Sequence, residues 1–293
     1  MRPGPRRYRQ RGMALIIVLW LVVLLSVMAA GHARNVHTDS LLSARQIGLA
    51  EARALADAGV RKAILRLLGN GPVPPVDGTL FKVRLAGDTV SVGVRDSRGL
   101  VDLNAAGADL LSVVMGLAGA DGEEQQKLVG AIMDWRDKDK LTRLHGAEDG
   151  DYRAAGLSWT ARDDSFSAVE ELRFVIGMRP EIYASTARYF TVHSGRSTLD
   201  PNFAPVGLVD AVGAATGSAA KINTGGAGPT AQQVTGPLRG TYHVYSTATG
   251  RSGATASIEA VVRISGRLEN PYLVLEWRET SYEPGPKTEV RTG

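Results

Sequence analysis

Six carboxylates stand close together in the middle of this 293-residue sequence. Asp134, Asp137 and Asp139 lie in Asp134-Trp135-Arg136-Asp137-Lys138-Asp139. Glu148, Asp149 and Asp151 follow in Gly146-Ala147-Glu148-Asp149-Gly150-Asp151-Tyr152. Oxygen donors in an Asp-x-Asp pattern with a nearby Glu-Asp suit a hard cation such as calcium, which takes about 6–8 oxygens. The chain has no Cys, and its five His (His32, His37, His145, His193, His243) are scattered, so no arrangement competes for a transition metal. An EF-hand does not fit, because a loop starting at Asp137 would put Thr142 where that motif needs glycine. By composition the same residues also fit a solvated acidic turn balanced by Arg136, Lys138, Lys140 and Arg143.

Catalysis finds little else to work with. No His sits in a Ser or carboxylate constellation, and the glycines of Gly225-Gly226-Ala227-Gly228 lack the Lys-Ser/Thr of a phosphate loop. Asp163-Asp164 could serve a glycosidase in principle, but nothing marks them beyond a turn. The reading is no enzyme. The formal charge of +4 comes from residues 1–12, which hold five Arg and no acid, leaving −1 on the remainder. A nucleic-acid partner needs cations clustered on a folded face, and this body offers none to the eye, so none is expected.

The elements that must position the acidic cluster start at the N-terminus. Residues 13–31 form a run of nineteen without charge, roughly 28 Å as a helix and close to a bilayer core. The arginines before it place the N-terminus in the cytoplasm. Gly31-His32-Ala33 also offers a small-x-small cleavage pattern, the alternative of a secreted chain. No proline occurs between Pro5 and Pro72, and Ala, Leu, Arg and Glu dominate, so the span is expected to continue into one helix of roughly 55 residues. Leu41, Ala44, Gly48, Ala52, Leu55, Gly59 and Ala63 form a small-residue stripe on it, read as a face for other helices.

Beyond Pro72-Val73-Pro74-Pro75 the pattern changes. Phe81–Leu85 and Val90–Val94 alternate around Gly87-Asp88, a hairpin signal, and Tyr242–Thr247, Ala256–Ile264 and Tyr272–Trp277 read as strands. Residues 97–240 between them are too long for a loop and mostly helical in pattern. They contain a near-repeat: Val101-Asp102-Leu103-Asn104 aligns with Leu199-Asp200-Pro201-Asn202, each expected to cap a helix. Ser167-Ala168-Val169-Glu170 reads as a capping box. This grammar resembles helix-hairpin-helix modules, but Asp121, Glu123 and Glu124 beside the first hairpin oppose a phosphate partner, so the packing is read as structural. The fold class is α+β: a pilin-like fold, a long N-terminal helix on an antiparallel sheet, with a large mainly helical insertion.

Arg11-Gly12 followed by Met13-Ala14-Leu15-Ile16 resembles the leader junction of type IV pilin-like proteins. The resemblance implies cleavage between Gly12 and Met13 by a prepilin peptidase and methylation of Met13. Most members carry glutamate at the fifth mature position, where this chain has Ile17. A carboxylate in hydrocarbon is costly unless paired, so a subunit with no neighbour above it could dispense with it. That absence resembles the K-type minor pseudopilin of the type II secretion system. Members share an Asp-Trp-x-Asp-x-Asp…Gly-Ala-Glu-Asp-x-x-Tyr pattern, which implies a structural calcium site at Asp137, Asp139, Glu148 and Asp149, with Tyr152 nearby and Asp134 and Asp151 less secure. Phe166–Leu172, Ile176–Tyr183 and Arg188–Val192 extend the likeness.

The resemblance implies a leader at 1–12, an inner-membrane span at 13–31, and a periplasmic helix at 32–70. A sheet at 78–96 and 241–282 would flank an insertion at 97–240. It implies a minor pseudopilin that caps the pseudopilus tip and initiates its assembly for export of folded proteins. Partners would be the I-type and J-type minor pseudopilins and the major pseudopilin. A type IV pilus minor pilin and a membrane-anchored helix-hairpin-helix DNA-binding module are the alternatives. Residues 214–236 read as a Gly/Ala/Thr-rich linker.

Overall fold

The computed structural model describes residues 13–69, 72–85, 87–216 and 238–280, with side chains of the first helix at 14–28 and 42–68. Gly12 and the leader, most of the 214–236 linker and the tail after Glu283 lie outside the described residues. Helix α1 runs Met13–Leu68, as its proline-free composition requires, and carries Arg66 in its last turn, favourable for the helix dipole.

The chain divides into two compact units. The smaller holds α1 up to Ala52 together with the turn at residues 249–255. There a Cβ on Gly48 would stand 1.6 Å from Ser252 Oγ, so only glycine lets this helix and turn approach. The Arg251 amide donates to Glu51 Oε2 at 3.2 Å.

The larger unit contains the sheet, made of β1 (Asp77–Leu85), β2 (Asp88–Asp96), β5 (Gly240–Thr249), β6 (Thr255–Ile264) and β7 (Tyr272–Thr280), in the order β1-β2-β5-β6-β7. Pairing is antiparallel for β1 with β2, β2 with β5, and β6 with β7. Ala56, Val60, Ala63, Ile64 and Leu67 of α1 form one core with Val83, Val92, Val244, Ala260 and Val262 of the strands. This corrects the reading of the small-residue stripe. From Gly59 onward it is buried against the chain's own sheet, where a Cβ on Gly59 would meet Ser246 Oγ at 2.2 Å and Val90 at 2.9 Å. Helix-on-sheet packing, not helix-on-helix, explains these small residues.

The insertion has a separate core. Its elements are β3 (Val101–Asp102), α2 (Ala108–Leu117), α3 (Gly122–Arg136), α4 (Asp149–Ala154), a 3-10 turn (Val169–Phe174), α5 (Pro180–Thr186), β4 (Phe190–Thr191), which pairs parallel with β3, and α6 (Val206–Thr216). The near-repeat is real as local structure but not as a cap. Asp102 Oδ1 accepts the Asn104 amide at 2.8 Å and Asp200 Oδ1 accepts the Asn202 amide at 3.1 Å, the same Asx turn twice. The N-cap of α2 is Gly107, with no side-chain hydrogen bond. The capping box expected at Ser167 is also displaced by one residue. The Ser167 amide donates to Glu171 Oε1 at 3.1 Å, ahead of a 3-10 turn that starts at Val169.

Gly130 on α3 is the close approach that seats the loop leading to the acidic cluster. A Cβ there would stand 2.7 Å from the His145 carbonyl oxygen and 2.8 Å from the Gly146 nitrogen, both backbone. Gly130→Val is therefore expected to destabilise the insertion by about 1–3 kcal/mol, as overpacking against backbone does, and urea unfolding measures it. A neutral result would mean that this loop yields freely.

Candidate metal centre

The centre is built at the C-terminal end of α3, the loop after it, and the start of α4. Asp134 is fully buried on α3; its Oδ1 accepts from Arg143 Nη1 at 2.7 Å and its Oδ2 from the Arg143 amide at 3.1 Å. Asp137, just past the helix, pairs with the same guanidinium through Oδ2. Glu148 precedes α4, and its own amide donates to Asp151 Oδ2 at 2.9 Å, while its carboxylate faces the start of the helix without closing a hydrogen bond. Asp149 Oδ2 lies 3.1 Å from Lys140 Nζ, and Asp163 Oδ2 lies 3.0 Å from the same ammonium.

Glu148, Asp149 and Asp163 each bring one ligand oxygen within 4.8 Å of the others. Two oxygens about 2.4 Å from a shared calcium ion can stand no farther apart than that. Glu148 Oε1 and Oε2, Asp149 Oδ1, Asp163 Oδ1 and Asp137 Oδ1 are all buried with no hydrogen-bond partner. Buried carboxylate oxygens are normally satisfied, so orphaned oxygens on the three convergent residues Glu148, Asp149 and Asp163 fit a cation as their missing partner. The donor set is all oxygen, the chemistry calcium prefers. Glu148 shows the strain electrostatically: burial first, then the charges of Asp163, Asp134, Asp137 and Asp149, push its carboxyl up to about 7.

Of the residues singled out by sequence, Glu148 and Asp149 converge, and Asp137 adds an orphaned oxygen nearby in the same cluster of charges. Asp139 is exposed, with Oδ1 accepting the Leu141 amide at 2.9 Å, and it is not in the convergent group. Asp151 serves α4's first turn. Tyr152 is buried beneath, its hydroxyl oxygen accepting the Ile176 amide at 3.1 Å, and burial pushes it up to about 12. The candidate ligand that sequence reasoning missed is Asp163. The positive-φ non-glycine residues among the described ones are His145 (66°) and Asp163 (54°), one on the loop into the site and one in it. Such conformations persist where surroundings hold them, and they concentrate at functional sites.

A long N-terminal helix, an antiparallel sheet and a large helical insertion carrying an acidic centre define the class: a mixed α+β protein. Residues 96–195, the insertion up to just past β4, match the family model for type II secretion system (T2SS) protein K. The chain is 25% identical over 209 residues to type II secretion system protein K of Pectobacterium carotovorum subsp. carotovorum, covering 62% of this chain and 63% of the relative. It is 28% identical over 213 residues to the putative type II secretion system protein K of Escherichia coli K12, covering 62% of each. The matched part is thus under two thirds of these relatives' lengths. A chain in the crystal structure of the GspK-GspI-GspJ complex from the enterotoxigenic Escherichia coli type 2 secretion system shares the fold. Its TM-score is 0.55 at 15% identity, covering 84% of this chain and 100% of that one. The family model and these relatives are all of type II secretion system protein K, and the model match lies over the insertion.

Proposed function

We propose that this chain is a minor pseudopilin of the type II secretion system that caps the pseudopilus tip and initiates its assembly, working by assembly and not by chemistry of its own. The observation that carries this reading is the family match over the insertion, the part that would crown the tip. Its bulk would block addition of another subunit above. The partners this reading calls for are I-type and J-type minor pseudopilins and then the major one, the first two being the company of protein K in the related complex.

The same reading anchors residues 13–31 in the inner membrane, with the rest periplasmic. All fifteen described side chains from Ala14 to Met28 are exposed around the helix, and a helix apolar on every face needs a bilayer or neighbours to cover it. No helix among the described residues is long and apolar enough to cross a membrane. Side chains are described for fifteen of the nineteen residues of this run, fewer than the about 20 a span takes. Glu148, Asp149 and Asp163 would hold calcium, with Asp137 close by, and the ion would supply the counter-charge their carboxylates lack.

Intact mass and N-terminal sequence of the membrane-fraction protein, with and without its prepilin peptidase, test the reading. The expected result is a start at methylated Met13 that depends on the peptidase. A start at Arg34, or an uncut chain, would sink it.

A further inference from the structure

The loop between α3 and α4 carries a feature that the proposed function leaves unused. All eight residues from Lys138 to His145 are exposed, and among them Leu141 is 76% and Leu144 87% exposed. Burying a leucine is favourable, so a loop free to turn would tuck both away. This loop has no such freedom. Asp134 accepts from the Arg143 guanidinium at 2.7 Å and from the Arg143 amide at 3.1 Å. The Leu141 amide donates to Asp139 Oδ1 at 2.9 Å, and the Gly146 amide to the Arg143 carbonyl at 2.8 Å. His145 has a left-handed backbone at φ 66°, and its carbonyl lies against Gly130. Each leucine has a tether beside it, so the pair is displayed by a loop already ordered, which binds without a further ordering cost.

The charges on the loop and around it differ in sign. Lys138, Lys140 and Arg143 against Asp139 give residues 138–145 a net +2 with His145 neutral. Residues 134–164 as a whole hold eight carboxylates and six Lys or Arg, a net −2. One of those six, Arg162, is engaged outside the stretch by Glu171 at 2.6 Å, so the excess of acid is real. An anionic surface is repelled while that excess stands. When Glu148, Asp149 and Asp163 hold a divalent cation, the excess is offset. Asp149 and Asp163 then also give up Lys140, whose ammonium they hold at 3.1 and 3.0 Å. Lys140 is itself largely exposed, so its release costs little, and the freed charge stands next to Leu141 in the chain.

We propose that residues 138–145 form a calcium-armed docking tip for an anionic lipid surface. Leu141 and Leu144 enter the interface, and Lys138 and Lys140 meet the head groups. The proposal rests on the calcium reading of the Glu148 centre. Binding at a membrane surface scales with the apolar area buried there plus the attraction of Lys and Arg to anionic lipid, and this loop supplies both. Two leucines are a small area, so the attachment is weak and reversible. The acids behind the loop make it conditional, because only their neutralisation leaves the loop's own positive charge to act at short range.

The chain has no Cys, so Thr142→Cys, between the two leucines, takes a single polarity-sensitive dye. Full-length protein is carried in phosphatidylcholine nanodiscs, which occupy its apolar N-terminal run, and vesicles are then added. With phosphatidylglycerol vesicles and calcium the dye emission should shift to the blue. With a chelator, or with phosphatidylcholine vesicles, it should not. Flotation with the vesicles reads affinity without the dye. At saturating calcium, joint Leu141→Ser and Leu144→Ser should weaken binding at least about tenfold. Lys140→Gln should weaken it a few-fold, and Glu148→Gln should abolish it. Asp163→Asn repeats that last arm should Glu148→Gln fail to fold. Calorimetry without vesicles separates the two readings. Calcium uptake without vesicle binding overturns the docking tip and leaves the centre standing, whereas no calcium uptake overturns the centre and the arming with it. Docking that survives loss of the centre, a response to phosphatidylcholine vesicles, or a leucine variant that docks like the wild type each overturns the proposal.

Discussion

Trp135→Ala is expected to cost the insertion about 3–5 kcal/mol, the usual range for removing a buried aromatic ring. Trp135 is 5% exposed near the end of α3, its ring centroid 5.9 Å from that of Tyr152 and 6.1 Å from that of Phe166. These three rings tie α3, α4 and the segment before the 3-10 turn into one block, and each such pair adds about 0.5–1.5 kcal/mol beyond its buried area. Tyr152, which Trp135 packs against, lies on α4 beside Glu148 and Asp149, so the acidic centre should loosen along with the core. Trp135→Phe separates the two contributions. Nε1 is buried and donates to nothing among the described residues, so losing that N–H forfeits no hydrogen bond and only ring area is given up. Urea unfolding followed by far-ultraviolet circular dichroism would read both variants. A loss below about 1 kcal/mol for Trp135→Ala would mean the aromatic block does not hold the insertion together.

Much of the scaffold around this block was legible from the order of residue types. The absence of proline up to Pro72 predicts the long helix, and α1 ends at Leu68. Alternation around Gly87-Asp88 predicts a hairpin, and β1 and β2 pair there with Leu85 opposite Asp88. The three later strands also lie where period-two patterning puts them. Periodicity says which face of an element is apolar, but not what covers it. That is why the Gly59–Ala63 stretch could be taken for a helix-helix face before the sheet was seen beneath it. The capping signals failed for a related reason. Asp102 and Asp200 bond backbone amides and Ser167 bonds the Glu171 carboxylate, but the residue that starts each helix is set by tertiary packing a few positions on.

The acidic centre was half legible. Glu148 and Asp149 share one turn, so their proximity follows from the chain itself. Asp163 comes from a separate loop, and nothing in Ala161-Arg162-Asp163-Asp164 distinguishes a ligand from a turn residue. Its sign is conformational: a left-handed backbone at φ 54° aims the carboxylate at Lys140 and Glu148's surroundings, and φ is invisible in a sequence. Asp139 shows the converse. It lies within the motif, yet its Oδ1 turns back to the Leu141 amide.

Those placements decide the second large effect, that of the cation itself. Calcium at about 100 times its dissociation constant is expected to stabilise the chelator-treated protein by about 2.7 kcal/mol, a rise in thermal midpoint of roughly 5–11 °C for a folded unit of this size. Asp163→Asn and Glu148→Gln should each abolish that rise, because each removes one of the three convergent carboxylates. Asp139→Asn should leave it nearly intact. Lys140→Gln should act in the opposite direction. Its ammonium lies 3.1 Å from Asp149 and 3.0 Å from Asp163, where it competes for the oxygens that a divalent ion needs. The Lys140 side chain is 65% exposed, so its pairings are screened by solvent and the gain in calcium affinity should be small. Calorimetric titration of calcium into each chelator-treated variant measures the series. A thermal midpoint indifferent to calcium and chelator alike would remove the cation and leave five buried carboxylate oxygens unexplained. A calcium response lost in Asp139→Asn but kept in Asp163→Asn would move the ion out of the α4 pocket and onto the 137–139 loop.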